Sequence, residues 1–308
     1  MEITVVAPTF RRADRLRRLV AALEAQDHPT DRFEVVIVDD ASPDDTAAVL
    51  AELIATSSLS LRGFRLHRNG GPAAARNAGW RTARADVVAF VDDDCLPDPG
   101  WVGAFARAFA RNDRLGVAQG LTRAEAGPRG PWTVAREIGD ETPWFEGCNI
   151  AYRLVALEAT GGFDEAIRWY GEDTSAGWKV VEAGWERDFV PQASTTHDLE
   201  ERGVRWRIRH GLLESHLVAL AAVHPGLRRT AFWRPWAFRR ESVTLPLAVG
   251  AVLAAPQWPI ALPLVLPYLA ARRSLWRRPR DLAASVAVDL ASIVGHVHGS
   301  VRSGVVVL

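Results

Sequence analysis

Cysteine is scarce in this chain: among 308 residues only Cys95 and Cys148 occur. They are well separated, which excludes a disulfide framework and a cysteine-rich zinc cluster and leads us to expect a reducing, cytosolic compartment. Net charge is absent as well. With 37 Lys+Arg against 37 Asp+Glu, the chain lacks the basic excess that a nucleic-acid partner calls for, so no nucleic acid is expected and charge arguments must be local. No internal repeat is visible, and no basic, apolar and small-residue leader precedes the first strand-like run. What is plentiful is apolar surface. Hydrophobic residues make up 48% of the chain, which excludes disorder and suffices for one large domain or a domain with an appendage.

From Ile3 onward, short β-rich apolar runs alternate with helical patterns: Ile3 to Ala7 then Arg15 to Ala25, Glu34 to Val38 then Asp45 to Ile54, Val87 to Val91 then Trp101 to Ala110. The alternation predicts an α/β fold with a mainly parallel sheet flanked by helices. The second and third of these strands end in acidic clusters, Asp39-Asp40 and Asp92-Asp93-Asp94. Carboxylates thus stand at the carboxyl ends of parallel strands, where open α/β sheets bind ligands. From about Gly120 to Trp144 the alternation stops and a long loop or local excursion is expected. FEGCNIAYR, GEDTSAGWKV and DFVPQASTT then supply a strand, a helix and a final strand.

Beyond Glu201 the composition changes. Arg202, Arg205, Arg207, Arg209, Arg228, Arg229, Arg234, Arg239 and Arg240 crowd together with Trp206, Trp233 and Trp236, and an uncharged run follows from Val243 to Ala271, closed by Arg272, Arg273, Arg277, Arg278 and Arg280. That run exceeds the about 20 apolar residues of one membrane span and falls short of two. Pro246, Pro256, Pro259, Pro263 and Pro267 each delete a helical donor, and Pro256-Gln257-Trp258-Pro259 reads as a turn. Arg and Trp on both flanks suit a cytoplasmic membrane interface. The expected organisation is a globular domain over 1–200, an Arg/Trp-rich helical connector over 201–242, and an apolar, membrane-associated helical tail over 243–308. The tail would form a monotopic or re-entrant hairpin at the cytoplasmic face of the cell membrane. A buried helical pair, packed on the globular domain or in a homodimer interface, fits the same residues. Gly295-x-x-x-Gly299 permits close helix approach. Asp289, His296 and His298 interrupt this segment, which reads as a helix packed on the preceding hairpin or lying at the interface; the two histidines read as ordinary polar positions, since His-x-His on a helix points its rings apart.

Asp92, Asp93 and Asp94 repel one another unless something positive is near. A divalent cation, Mg2+ or Mn2+, answers that repulsion. In an extended chain Asp92 and Asp94 share a side, as suits a site built from one or two carboxylates plus substrate phosphates. An acidic turn or helix cap before Pro97-Asp98-Pro99-Gly100-Trp101 is the alternative.

Taken in order, the motifs resemble the inverting nucleotide-sugar glycosyltransferases of the family-2 type, which have a GT-A fold. VVAPTFRRADRLRRLVAAL looks like that family's first strand, Pro-Thr turn and first helix, with Arg11 where Asn is common and Arg12 in place. VVIVDDASPDDT is similar to the second-strand nucleotide motif, RNGGPAAARNAGW to the Gly-rich Arg-Asn segment, and FVDDDCLPDPGW to the metal-binding acidic triplet. GCNIAYR, GGFDE and GEDTSAGWKV match the acceptor half. The likeness covers about residues 1 to 200 and rests on the ordered set.

The resemblance implies that Pro8 and Thr9 lie on the nucleobase, that Asp40 accepts a hydrogen bond from it, and that Arg76 helps to hold the nucleotide. Asp92 and Asp93 would face the ribose and diphosphate. Asp94, with Asp92, would hold the metal, and His197 would approach it from the far side. Asp173 is implied as the base that takes the acceptor proton and Glu172 as a contact to an acceptor hydroxyl. Gly147, Cys148 and Asn149 would line the acceptor side, with Trp144 and Trp169 stacking on a sugar face and Cys148 a small buried residue. Each has a plain reading too: Asp39 and Asp40 as helix caps, Arg76 as a surface helix residue, His197 as a loop residue, Glu172 and Asp173 as acids favoured by a helix N-terminus.

A nucleoside diphosphate leaving group develops negative charge that a divalent ion neutralises, and inversion needs only an in-line acceptor hydroxyl and a base. The implied reaction is transfer from a UDP-, GDP- or dTDP-sugar to a glycan or lipid-linked acceptor in cell-envelope synthesis. A nucleotidyltransferase shares such a fold and metal, but VVAPTFRR lacks its Gly-rich basic signature. Intact Asp92, Asp94 and Asp173 speak against a non-catalytic sugar-nucleotide-binding protein.

Overall fold

The computed structural model describes residues 1–167, 170–234, 236–273 and 279–307; Trp169, Arg277 and Arg278 lie outside the described residues. The chain forms two compact units, residues 1–127 with 135–199, and residues 128–134 with 200–308. Up to the acidic triplet the elements are β1 (Ile3–Thr9), α1 (Ala13–Glu24), β2 (Phe33–Asp39), α2 (Thr46–Thr56), β3 (Leu61–Arg65), α3 (Pro72–Trp80) and β4 (Val87–Val91). Then come β5 (Cys95–Pro97), α4 (Trp101–Arg111), β6 (Leu115–Ala124), β7 (Thr133–Val134), β8 (Asn149–Arg153), α5 (Leu154–Thr160), α6 (Glu172–Glu182), β9 (Glu186–His197) and β10 (Glu200–Glu201). The last elements are α7 (Val204–Leu213), α8 (Ser215–Val223), α9 (Pro225–Ala231), α10 (Arg240–Ala254), a 3-10 helix (Pro259–Val265), α11 (Leu266–Ala271) and α12 (Pro279–Ser303).

The first unit is built on one sheet of order β3-β2-β1-β4-β8-β6-β9-β5. Its first four strands are parallel, as are β6 and β9, while β8 runs antiparallel to both β4 and β6. Every residue of β2 is buried, as a central parallel strand covered on both faces requires. Helix α1 turns Leu16, Leu19, Val20 and Leu23 inward, the i, i+3, i+4, i+7 stripe of a surface helix.

Three local readings change. Strand β3, LRGFR, is a partly exposed edge strand whose two arginines mute its apolar alternation, so the acidic triplet follows the fourth strand rather than the third. Strand β1 runs on through Thr9, paired with Asp39, so Pro8 and Thr9 are strand residues rather than a turn. The turn follows at Arg11, whose φ of 59° lies in the left-handed region that favours Asn. Strand β6 continues past Gly120, and Thr122 exchanges two backbone hydrogen bonds with Ile138, which ties the excursion back to the sheet.

In the second unit the GxxxG positions are engaged within the chain. A Cβ on Gly295 would fall 2.6 Å from the Gly211 carbonyl oxygen, and one on Gly299 2.6 Å from that of Ser215. His296 Nε2 lies 3.0 Å from Glu214, and Asp289 accepts from the Tyr268 hydroxyl and Arg272 Nε. Among the described residues α12 is the one helix long and apolar enough to cross a membrane, by length and composition, and 39% of its most apolar window is buried in the protein. The uncharged run before it folds as α10, a break at residues 255–258, the 3-10 helix and α11. Arg272 Nη1 stands 3.6 Å from Glu241 Oε1, so the run leaves and returns at one level, as a hairpin does.

Gly299→Leu should destabilise the protein through overpacking, by about 1–3 kcal/mol in urea unfolding. Gly250→Ala, where nothing lies within 4 Å of an added Cβ, should stabilise by roughly 0.5–1 kcal/mol through helix propensity.

Candidate active site

Helix α3 begins at Pro72, a residue suited to the first helical position, after Gly71 at φ 85°. One turn later Arg76 points into the protein, where its side chain is only 4% exposed. Its Nη2 donates to Asp92 Oδ1 at 2.8 Å and its Nη1 to Glu172 Oε1 at 3.0 Å. Burial alone would lower the Arg76 pKa, but the carboxylates of Asp92, Glu172 and Asp173 more than offset that and raise it. A Cβ on Gly147 would meet the guanidinium carbon at 2.8 Å, so the glycine is what lets the chain pass.

Asp173 sits in the first turn of α6, after Gly171 in the left-handed region. Its Oδ2 accepts from the Gly147 amide at 2.8 Å and its Oδ1 from the Thr174 amide at 2.7 Å. Burial first, then the neighbouring Glu172, push its pKa up to about 7, against the pull of Arg76 and the two amides. A carboxyl so poised can take or release a proton near neutrality.

The backbone turns at the triplet, with the Cys95 amide donating to the Asp92 carbonyl. The extended-chain alternation therefore fails, and the three acids take different partners. Asp92 faces Arg76, whose contacts hold it ionised below the usual range against the cost of burial. Asp93 accepts from Thr9 Oγ1 at 2.7 Å and pairs with Arg12, while burial pushes its pKa up to about 6. Asp94 Oδ2 is held by Arg12 at 2.5 Å and Arg15 at 3.3 Å. Its other oxygen, Oδ1, lies 3.6 Å from His197 Nε2.

Donor atoms of Asp94, Cys95 and His197 all lie within 4.8 Å of one another. Asp92 is not in that group, contrary to the pairing of Asp92 with Asp94. His197 Nδ1 is 2.7 Å from the Asp198 carbonyl oxygen, which can only accept, so Nδ1 carries a proton and Nε2 is the ring nitrogen turned toward Asp94, available as a ligand in the neutral tautomer. Two acceptors facing each other across 3.6 Å suit a divalent cation. The Cys95 thiol suits it poorly, because its contact with the Cys148 thiol and its burial raise its pKa well above the ordinary value.

Residues 4–163 match the sequence profile of Glycosyl transferase family 2. The chain belongs to that family. It is similar to a pre-mycofactocin glycosyltransferase of Mycobacterium tuberculosis, 29% identical over 241 residues that make up 73% of this chain and 48% of that protein. The chain spans about half the length of such relatives. Its fold resembles that of a mannosyltransferase from Pyrobaculum calidifontis solved with GDP-Man and Mn2+, with a TM-score of 0.60, 22% identity, and 98% of this chain and 86% of that one covered. Staphylococcus aureus TarS 1–349 with UDP-GlcNAc is similar too, with a TM-score of 0.55 and 20% identity over 99% of this chain and 93% of that one.

Within this family-2 frame some expected site residues are engaged elsewhere. Asn149 is fully buried. Its Oδ1 accepts from Trp101 Nε1, and its Nδ2 donates to the Leu121 and Ala193 carbonyls. No polar atom is left for an acceptor, and Asn149 instead locks β8 to its neighbours. Asp40 accepts from the Gly70 and Gly71 amides, both at 2.8 Å, and so shapes the Gly-rich loop. Gly147 and Glu172 are buried beside Arg76, and Trp144 is half-buried, its carbonyl accepting from Thr174 Oγ1. Sequence reasoning missed Arg15, Arg18 and Asp198: Arg15 Nε and Arg18 Nη2 each lie 3.1 Å from Asp198. The three-residue spacing of Arg12, Arg15 and Arg18 at the start of a helical pattern was the available signal.

Arg76→Met should leave Asp92 and Glu172 without their buried counter-charge and destabilise the protein by about 3–5 kcal/mol. Arg76→Lys should restore only part of that, because one ammonium cannot fork between both acids. Denaturant unfolding of the three proteins measures both effects.

Proposed function

We propose that this chain is an inverting, divalent-cation-dependent glycosyltransferase that moves a sugar from a nucleoside diphosphate to an acceptor hydroxyl. The observation that carries the reading is Asp173: a carboxyl with a pKa near 7, held by the Gly147 amide, in a network that reaches the acidic triplet through Arg76. An inverting displacement needs one base and no protein nucleophile. Asp173 takes the acceptor proton. Glu172, fixed by Arg76, and Trp144 contribute to the acceptor side. Thr9, Asp40, Asp92 and Asp93 border the donor nucleotide, and the ligands named in the related solved structures, GDP-Man and UDP-GlcNAc, support a nucleotide-sugar donor. Asp94 and His197 would hold the cation, which, when bound, supplies positive charge for the leaving diphosphate. Nucleotidyl transfer to a phosphate has no hydroxyl proton to remove and would leave Asp173 without a task.

The second unit supports action at a membrane surface, on a lipid-linked or cell-envelope acceptor. The hairpin between Glu241 and Arg272 exposes Leu253, Trp258, Ile260 and Leu266, with Ile260 90% exposed. Helix α10 has 15 residues and rises only about 22 Å, short of the about 30 Å hydrocarbon core. The hairpin therefore enters one leaflet and returns, while Arg240 and Arg273, both exposed, remain at its neck for anionic headgroups at the cytoplasmic face. The competing occupant of this apolar face is a second copy of the chain.

Asp173→Asn should keep nucleotide binding in a thermal-shift assay and lose transfer by about 10²–10⁴-fold. Because the base works only when ionised, wild-type kcat should fall about tenfold per pH unit below roughly pH 7; a flat profile down to pH 5 would remove Asp173 from that role. Ile260→Asp with Trp258→Asp should abolish co-sedimentation with vesicles containing phosphatidylglycerol. A dimer in light scattering that the same changes dissolve would favour the second copy instead.

A further inference from the structure

Asp94 already has counter-charges from within the protein. Asp92 has Arg76, Asp93 has Arg12, Asp94 has Arg12 and Arg15, and Asp198 has Arg15 and Arg18. These four carboxylates face four guanidiniums, of which Arg76 also holds Glu172. Arg15 and Arg18 lie on α1 and Arg12 at its N-cap, and the spacing of three residues brings them together over the acids. Asp94 is divided between two uses, with Oδ2 clamped by Arg12 and Arg15 and Oδ1 turned toward His197 Nε2.

A dication approaching this pair meets an attraction largely cancelled at short range, because the fixed positive charges lie about as close to Asp94 as the ion itself would. It also meets only two well-suited protein donors, too few to hold Mg2+ or Mn2+ without oxygens from a substrate. A donor diphosphate changes both conditions, since it brings negative charge that no guanidinium has yet neutralised and supplies the missing oxygens. We propose that Arg12 and Arg15 act as an internal counter-cation on Asp94, so that a divalent ion binds tightly only together with the diphosphate of the donor. This rests on the reading of Asp94 and His197 as cation ligands. The two arginines are positioning residues: they aim one oxygen of Asp94 at the cation position and suppress binding of the bare ion.

The test is a titration with Mn2+, the free aqua ion being read by electron paramagnetic resonance. It is run alone and with UDP or GDP, against protein-free nucleotide controls, on wild type, Arg12→Gln, Arg15→Gln, Arg12→Lys and Arg18→Gln. Wild type should bind bare Mn2+ weakly and gain sharply with one nucleotide. Arg12→Gln and Arg15→Gln should each tighten bare binding by about tenfold and shrink the nucleotide-dependent gain by the same factor. Arg12→Lys keeps the charge and should stay close to wild type, as should Arg18→Gln, whose parent arginine pairs with Asp198 and not Asp94. Circular dichroism identifies any variant that fails to fold, and either glutamine variant alone suffices. Unchanged bare affinity in a folded glutamine variant, or an equal gain in Arg18→Gln, overturns the counter-cation while the cation site stands. Mn2+ uptake by no protein with either nucleotide overturns the cation site itself, and the inference with it.

Discussion

A guanidinium shut away from water must be surrounded by its counter-charges, and the burial of Arg76 imposes that condition on everything near it. Its two donating nitrogens reach Asp92 at the end of β4 and Glu172 at the start of α6, while Gly147 passes against its face and Phe163 lies 5.6 Å from it. Four segments far apart in the chain are thereby held to one point. The same contact tunes the chemistry: burial and the neighbouring Glu172, which Arg76 fixes in place, raise the Asp173 pKa to near neutrality, while Arg76 limits that rise. Moving the arginine would therefore disturb the fold and the proton balance together.

A second charge network, centred on Asp94, is separate from the first because the chain turns within the triplet. Adjacent acids in a turn point apart, so Asp92 can serve the buried arginine while Asp94 faces α1 and His197. The triplet solves its own repulsion by distributing its members among different cations. That also explains why Cys95, though close to Asp94, contributes little: its thiol is turned to Cys148 in an environment that disfavours the thiolate.

Much of the fold was legible because apolar periodicity is a local property. The runs Ile3 to Ala7, Glu34 to Val38 and Val87 to Val91 became buried parallel strands within two residues of their expected ends, and the carboxylates after them stand where a parallel sheet presents ligands. Strand β3 escaped notice because an edge strand can carry arginines. Asn149 misled for a different reason: an amide in the Gly147-Cys148-Asn149 motif looks available, and only the sheet reveals that Trp101 and two carbonyls have taken its polar atoms. Gly295 and Gly299 suggested a helix contact without naming the partner, which is the backbone at Gly211 and Ser215.

The sequence by itself determined the alternation of strands and helices, the acids at strand ends, the glycines where chains pass closely, and the uncharged proline-broken run that becomes a hairpin. Each of these follows from forces between residues near one another along the chain. Only the tertiary structure decided which acid meets which base. Arg12 and Asp94 are 82 positions apart, Arg76 and Glu172 96, and Arg18 and Asp198 180. No local pattern encodes pairings across such distances, because they exist only once the sheet has brought the ends of its strands to one edge.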